Sequence, residues 1–513
     1  MRRWLTALAL ALVLALSLTG CWEDEAEPDD FWDGALPQED ETPAREPARI
    51  SEFTLPYLTG QTLDPVTCID GVQQTVGALL YEPLFYNPPA AEAETQPGLC
   101  LHAESSDYLT WVFSLRSDVT FSDGSPLTAN DVLATYRRAA ASERYGTRFA
   151  KVASMKARDT HTLVITLTQA NCFFPRLLDI PVVKSGTEND LVPLGTGCYV
   201  YTGGADGAAL TVNERWWRDA ALPLGRIALA AAKDNDTALS LFASRSVHFL
   251  CLDPTGTGAR TVGGAVELHD VPTTTMQYLG FNLGRTPLGS AAVRRAMSGL
   301  IDREELVSSR LSGHGTAAQL PLLLQGSPPA SQYEYTVSAS DYAAALKEAS
   351  VSDARPRSLT LLVNEESSFK RAVAESLCAQ LSTAALTVTV RALPWEDYLA
   401  ALQSGNFDLY LGEVRLTADG DASALLDADG ALNYGGFVSE QLSARSDEFL
   451  RGENASAARY AEGFIAETPF APLLFKSTAV LTPSGLIEGM TPTVSAPFYG
   501  FENWTFHLSD TES

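Results

Sequence analysis

Between Ser358 and Val414 the chain alternates strand and helix patterns without interruption, and few folds accept such a run. Leu359–Val363 is a short apolar stretch, and Val373, Leu377 and Leu381 then line one helical face. Leu386, Val388 and Val390 alternate as a strand, Trp395, Leu399 and Leu402 mark a second helix, and Phe407–Leu411 is another strand. Strand, helix, strand, helix, strand predicts a parallel sheet with right-handed crossovers, hence an α/β fold. Ligands of open parallel sheets sit beyond the carboxyl ends of the strands, which directs attention to Asn364–Glu366 and Glu413–Arg415.

Other segments add strands and helices around this unit. Leu109, Trp111, Phe113 and Leu115 alternate with more polar neighbours, the period of a half-buried strand, and Asp123-Gly124 then turns the chain. Thr128 suits a helix N-cap, with Asp131 in the first turn and Val132, Tyr136 and Ala139 at helical spacing. Leu163, Ile165 and Leu167 form a further strand face. Cys198–Tyr201 and Leu210–Val212 flank Gly203, Gly204 and Gly207 as a hairpin. A helix starts at Ser290, with Val293, Met297 and Leu300 on one side, and Asp302 with Glu305 reads as a capping box. From Ile50 onward the chain is too long for one core, so two or three domains are expected.

The amino-terminal stretch has a different character. Arg2 and Arg3 precede an uncharged apolar run from Leu5 to Leu18, shorter than the roughly 20 residues of a spanning helix, which reads as an export signal. Leu18-Thr19-Gly20-Cys21 resembles the bacterial lipobox, whose cysteine receives a diacylglyceryl group. Residues 1–21 are therefore expected to be a lipoprotein signal peptide ending at the lipidated Cys21. Residues 22–49, dense in Asp and Glu with Pro28, Pro37, Pro43 and Pro47, are expected to form an acidic disordered tether. The location expected is extracytoplasmic, anchored by lipid at the outer face of the cytoplasmic membrane or its periplasmic side. The formal net charge of −27 argues against nucleic acid as a partner, because such binding needs Lys and Arg to neutralise phosphates.

Six cysteines follow Cys21: Cys68, Cys100, Cys172, Cys198, Cys251 and Cys378. In an exported protein they permit three disulfides, with Cys172 and Cys198 the first pair to consider, or they stand as buried free thiols. No Cys-x-x-Cys occurs and the six histidines are scattered, so neither a metal site nor a cofactor is expected. Ser367-Ser368-Phe369-Lys370 matches a Ser-x-x-Lys pattern, but its companion motifs are missing and serines capping a helix explain it better. Gly256 and Gly258 read as a loop. No nucleophile, base and orienting group recur in a recognisable spacing, which disfavours a hydrolase.

Several stretches, in order, resemble one family. They are Thr62-Leu63-Asp64-Pro65, Leu79-Leu80-Tyr81-Glu82-Pro83-Leu84, Trp111–Arg116, Phe121–Val132, Gly195-Thr196-Gly197-Cys198-Tyr199, Phe281-Asn282, Val293-Arg294-Arg295-Ala296, Ile301–Glu304 and Asn433–Gly436. Together these resemble the family 5 extracellular solute-binding proteins of ABC importers, which include oligopeptide- and dipeptide-binding lipoproteins. Cys198 replaces the proline usual in its motif. Most of the motif residues suit structural roles: Gly124 and Gly197 in turns, Asp302 as a cap, Arg116 as an anchor for a buried carboxylate.

The resemblance implies a bilobed periplasmic-binding-protein fold of type II, in its large three-domain class, with discontinuous domains and a hinge of two connecting strands. One lobe would hold a core domain of residues 50–70, 181–272 and 476–513 with an extra domain of 71–180, and the second lobe residues 273–475. A monomer capturing a short peptide or a similar polar, zwitterionic solute for an ABC permease is implied. A peptide sensor reporting to a membrane signalling partner remains the alternative. Where peptide-binding relatives carry a Trp-x-x-Asp-Tyr-like stretch with an acid for the peptide amino terminus, this chain reads Leu411–Asp419 without the tryptophan or the Asp-Tyr pair. Glu413 or Asp419 is expected to take a ligand cation and Arg415 a carboxylate, unless Glu413 and Arg415 pair with each other or with solvent. Asn433, Tyr434 and Asn364 are weaker ligand candidates.

Overall fold

Two strands, Val266–Phe281 and Phe470–Pro483, run 16 and 14 residues and pair antiparallel along most of their length. At about 3.3 Å per residue each reaches on the order of 50 Å, enough to pass from one core into another. Val271 and Val480 pack with Phe53, Leu55, Tyr199 and Ile227, whereas Leu279, Phe281, Ala471 and Leu473 pack with Leu361, Val373 and Leu386. These two strands therefore tie two lobes together. The computed structural model describes residues 50–89, 93–203, 207–255, 264–321 and 332–509. The expected signal peptide of residues 1–21 with Cys21, the expected tether of 22–49, Gly204, Gly256 and Gly258 lie outside the described residues.

The first lobe holds two sheets. In one, Thr54–Leu58 lies parallel to Arg226–Ala232, which continues antiparallel into Ala208–Val212 and Tyr199–Thr202. The expected hairpin is the outer half of this sheet. Val76 from the helix Gly71–Gly77, followed by Leu79, Leu80 and Tyr81, packs into the same core. The other sheet is antiparallel, in the order Cys100–Glu104, Thr110–Leu115, Thr162–Leu167, Val152–Asp159. The helix Ala129–Ala140 covers it, its Val132, Tyr136 and Ala139 buried with Trp111, Phe113, Leu163 and Ile165. Burying each large side chain of this face contributes about 1.5–3 kcal/mol. The Thr128 main-chain N–H donates to Asp131 Oδ2 at 2.9 Å, which fixes the helix start.

The second lobe contains the strand and helix run. Arg357–Asn364 pairs parallel with Leu386–Leu393 on one side and with Leu409–Arg415 on the other. Leu409–Arg415 then pairs antiparallel with the long strand Val266–Phe281, so the sheet is mixed rather than parallel throughout. The helix Ser368–Leu381 crosses over it with Val373, Ala374, Leu377 and Leu381 buried. Asp302 caps the helix Arg303–Arg310 by accepting from Glu305 N at 2.9 Å, but the box is only half made. Asp302 N donates to Gln380 Oε1 instead, and Glu305 accepts from Ser309, Ser376 and Gln380. The side chain expected to close the turn ties two helices together.

All six cysteines after Cys21 are free thiols, which corrects the expected Cys172–Cys198 bridge. Cys172 lies against Gly452, and its N–H donates to Leu450 O at 2.7 Å, while Cys198 packs on the first-lobe core beside Leu79 O. Arg116 also departs from expectation. It pairs with Asp118 at 2.8 Å and lies over the Trp217 ring, while the buried carboxylate nearby, Glu82, accepts from Trp216, Trp217 and Thr196.

Candidate functional site

Where the long strands pass between the lobes their pairing breaks. Three residues, Thr273, Thr274 and Thr275, stand opposite a single one, Lys476. The threonine hydroxyls take over the hydrogen bonding, Thr273 donating to Lys476 O at 2.7 Å and Thr274 to Leu416 O at 2.6 Å. Thr275 N in turn donates to Thr273 Oγ1 at 2.9 Å. A bulge of this kind bends the strand and re-aims its side chains. Below it the third strand joins in register, Thr275 opposite Arg415 and Gln277 opposite Glu413. Glu413 and Arg415, two residues apart, leave the sheet on one face.

Lys476 is the charge at the centre of this arrangement. Its side chain is only 10% exposed, and its Nζ lies 3.0 Å from Asp253 Oδ2 and 3.8 Å from Glu413 Oε2. Lys370, from the first turn of the helix Ser368–Leu381, approaches the other Glu413 oxygen at 3.6 Å, and Gln277 Nε2 donates to Oε2 at 3.0 Å. Ser367 caps that helix, its hydroxyl accepting from Lys370 N at 3.2 Å, so the Ser-x-x-Lys match is a cap as expected.

Arg415 stands apart from these pairs. No carboxylate lies within ion-pairing distance of its guanidinium among the described residues. Burial lowers its pKa, and repulsion from Arg148 and then Arg144 lowers it further. Those two arginines line a cavity of about 440 Å³ together with Arg415, Asp179, Asp253 and Thr273. A smaller recess of about 300 Å³, lined by Glu413, Arg415, Lys476 and Asp253, opens beside it at the bulge. The cleft is thus walled by the first lobe on one side and by the end of the Leu409–Arg415 strand on the other, with the connecting strands as its floor.

Residues 94–431 match the model of the bacterial extracellular solute-binding proteins, family 5. The chain belongs to that family. It is a family of binding proteins rather than enzymes. The glutathione-binding protein GsiB of Escherichia coli O1:K1 is 26% identical over 275 residues, 50% of this chain and 53% of GsiB. The GsiB of Salmonella typhi matches to the same extent. The chain thus spans about half the length of the curated relatives it matches. Among solved structures, HbpA2 from Haemophilus parasuis superposes with a TM-score of 0.71 at 18% identity, covering 89% of this chain and 100% of that one. The nickel ABC transporter protein of Bacillus halodurans gives 0.70 at 22% identity, covering 87% and 98%. The fold is the type II periplasmic-binding-protein fold.

In this family 5 protein the quoted motif residues hold the scaffold. A Cβ on Gly195 would lie 2.1 Å from Leu80 O, and one on Gly197 would lie 2.4 Å from Leu79 O, so only glycine permits the close approach of these segments. Buried Arg294 donates to the carbonyls of Thr468, Glu467 and Leu288, and buried Arg303 to those of Ser298 and Pro472. Asp64 takes Arg138 at 2.6 Å.

Of the ligand candidates read from the sequence, the structure brings Glu413 and Arg415 to the cleft and places the other four away from its cavities. Asp419 is buried and accepts from Asn171 Nδ2 at 2.7 Å, part of a seam between the lobes that includes Arg176 Nε donating to Ala418 O at 2.9 Å. Burial raises its pKa, and the neighbouring Asp421 raises it further. Asn433 closes its own loop through Asp427 O and Phe437 O. Tyr434 packs edge-on to Tyr410. Asn364 reaches Glu366 at 3.4 Å, and Glu366 accepts from Trp395 N at the start of the next helix. Lys476, Asp253, Lys370, Arg144 and Arg148 were not singled out in the sequence. Lys476 left a signal there, as the only charge in the strand Phe470–Pro483.

Proposed function

We propose that this chain is the lipid-anchored, extracytoplasmic receptor of an ABC importer, capturing a short peptide or similar polar, zwitterionic solute and delivering it to a membrane permease. One observation carries the reading: Arg415, at the carboxyl end of a sheet strand and without an acid partner among the described residues, opens onto a cavity between two lobes. A ligand carboxylate supplies the missing partner in a bidentate fork. The relatives named for glutathione agree in kind with a small solute of this sort. We place residues 71–81 with the core domain 50–70, 181–272 and 476–513, leaving 82–180 as the extra domain and 273–475 as the second lobe.

Closure follows from binding. A ligand touching both lobes favours the closed form by its differential affinity, and reversing a 1:99 population takes about 5.5 kcal/mol of such preference. The bulge at Thr273–Thr275 is the place for the bend. The deciding experiment is mass spectrometry of solutes released when the purified protein is mildly denatured. A bound peptide or polar solute is the expected result, and cleavage products from an added peptide library would make the chain a hydrolase instead.

A further inference from the structure

We propose that the cleft selects a solute carrying at least two negative charges, held between Arg144 and Arg148 on the first lobe and Arg415 on the second, so that the solute's charge draws the lobes together. This deepens the receptor reading above and rests on it.

The charges around the cavity do not balance. Of its lining carboxylates, Asp179 is taken by Arg148 and Asp253 by Lys476. Arg144 spends its donors on Pro65 O, Cys68 O and Gln74 Oε1, all uncharged acceptors. Arg415 has no ion pair among the described residues. Two guanidinium charges therefore face the cavity without an opposing acid, on a chain whose net charge is −27. A general excess of base does not explain them.

The pair on the first lobe is also held in place. The guanidinium carbons of Arg144 and Arg148 lie 4.9 and 5.0 Å from the centre of the Tyr145 ring. Stacking on a common ring limits the rotamers of both, so less entropy is lost when an anion arrives. Arg415 and these arginines repel one another, in keeping with the depressed pKa of Arg415. A dianion between them turns that repulsion into two attractions, one on each lobe, whereas a single charge leaves one arginine uncompensated. The remaining walls mix polar side chains such as Gln74, Asn87 and Thr478 with stiff apolar ones, Pro65, Pro88, Pro181 and Pro272 among them. The volume suits a solute of a few residues, with its anionic groups at the arginines and an apolar body against the prolines.

The test is calorimetric titration of the whole mature protein with size-matched solutes. The panel is Glu-Ala-Glu, Gln-Ala-Gln and Lys-Ala-Lys, with a six-carbon dicarboxylate and its diamide. The dianions are expected to bind about tenfold or more tightly than their neutral counterparts. Arg415→Gln and Arg144→Gln are each expected to shrink that difference, and Arg391→Gln, exposed on the strand Leu386–Leu393, to leave it. The dianion affinity of the unmodified protein should also fall as salt rises, a check that needs no variant. Equal binding of neutral or cationic members, or an affinity indifferent to salt, overturns the charge assignment and leaves the receptor reading standing. Should no panel member bind, the solute released on denaturation decides: a neutral or cationic one overturns the charge assignment, and the absence of any overturns both.

Discussion

At the scale of single residues, two acids six positions apart have opposite fates. Glu413 emerges at the cleft between Lys370 and Lys476, and Asp419 is sealed into the seam beneath Asn171. The raised pKa of Asp419 means the fold holds its proton more tightly than the unfolded chain does. Its contribution to stability is therefore complete below the ordinary carboxylate range and is lost as pH rises through the raised value. Asp419→Asn, which still accepts from Asn171, should flatten that dependence: melting temperatures of the two proteins converge in acid and separate at neutral pH, with the variant higher. Parallel curves would remove Asp419 as a titrating group of the seam. Arg415→Ala, by contrast, should weaken solute binding about tenfold or more without lowering the melting temperature of the unliganded protein, because no ion pair among the described residues is lost and the repulsion from Arg148 and Arg144 is relieved. Unchanged affinity by calorimetry would take Arg415 out of the site.

At the scale of elements, the close approach of the Gly195–Gly197 segment to the end of the first helix is a strict requirement. Gly197→Ala places a methyl 2.4 Å from Leu79 O and 2.5 Å from the Leu80 carbonyl carbon, both backbone atoms that cannot swing aside. A loss of about 3 kcal/mol is expected in urea unfolding, and an unaltered midpoint would show that the segments yield. The alternating run from Ser358 to Val414 was legible because each element there buries one face with a clean period. The long strands were not, since they belong to two cores in turn and their central bulge is three threonines inside an otherwise continuous run, marked only by Pro272 before it. Asn433 turns inward, its short amide bonding Asp427 O and Phe437 O of its own loop, whereas Asn364 ends the strand Arg357–Asn364 and reaches the Glu366 carboxylate; neither direction is written in a local pattern.

At the scale of the whole molecule, the site joins residues far apart in the chain. Arg144, Arg415 and Lys476 meet only because the lobes face each other across the connecting strands, so no local pattern marked them as partners. The wider charge has its own effect. An anionic solute approaches a body repelled from it at long range and reaches cations only inside the cleft. Added salt should therefore speed association and speed release still more, a split that stopped-flow fluorescence resolves. Cys21→Ala is expected to free the protein into the soluble fraction with its solute affinity intact, and fractionation followed by titration checks both halves.

The unbridged cysteines offer something besides a correction. Cys378 sits in the second-lobe core, Cys100 in the edge strand of the first lobe's antiparallel sheet, and Cys198 against the core of its other sheet. Burial holds all three thiols well above their usual pKa. A labelling reagent can reach Cys100 and Cys378 only when their cores loosen, whereas Cys198, partly exposed, answers to a smaller opening. Every module thus carries at least one chemical timer, and labelling rates followed peptide by peptide would rank the parts by how often they breathe.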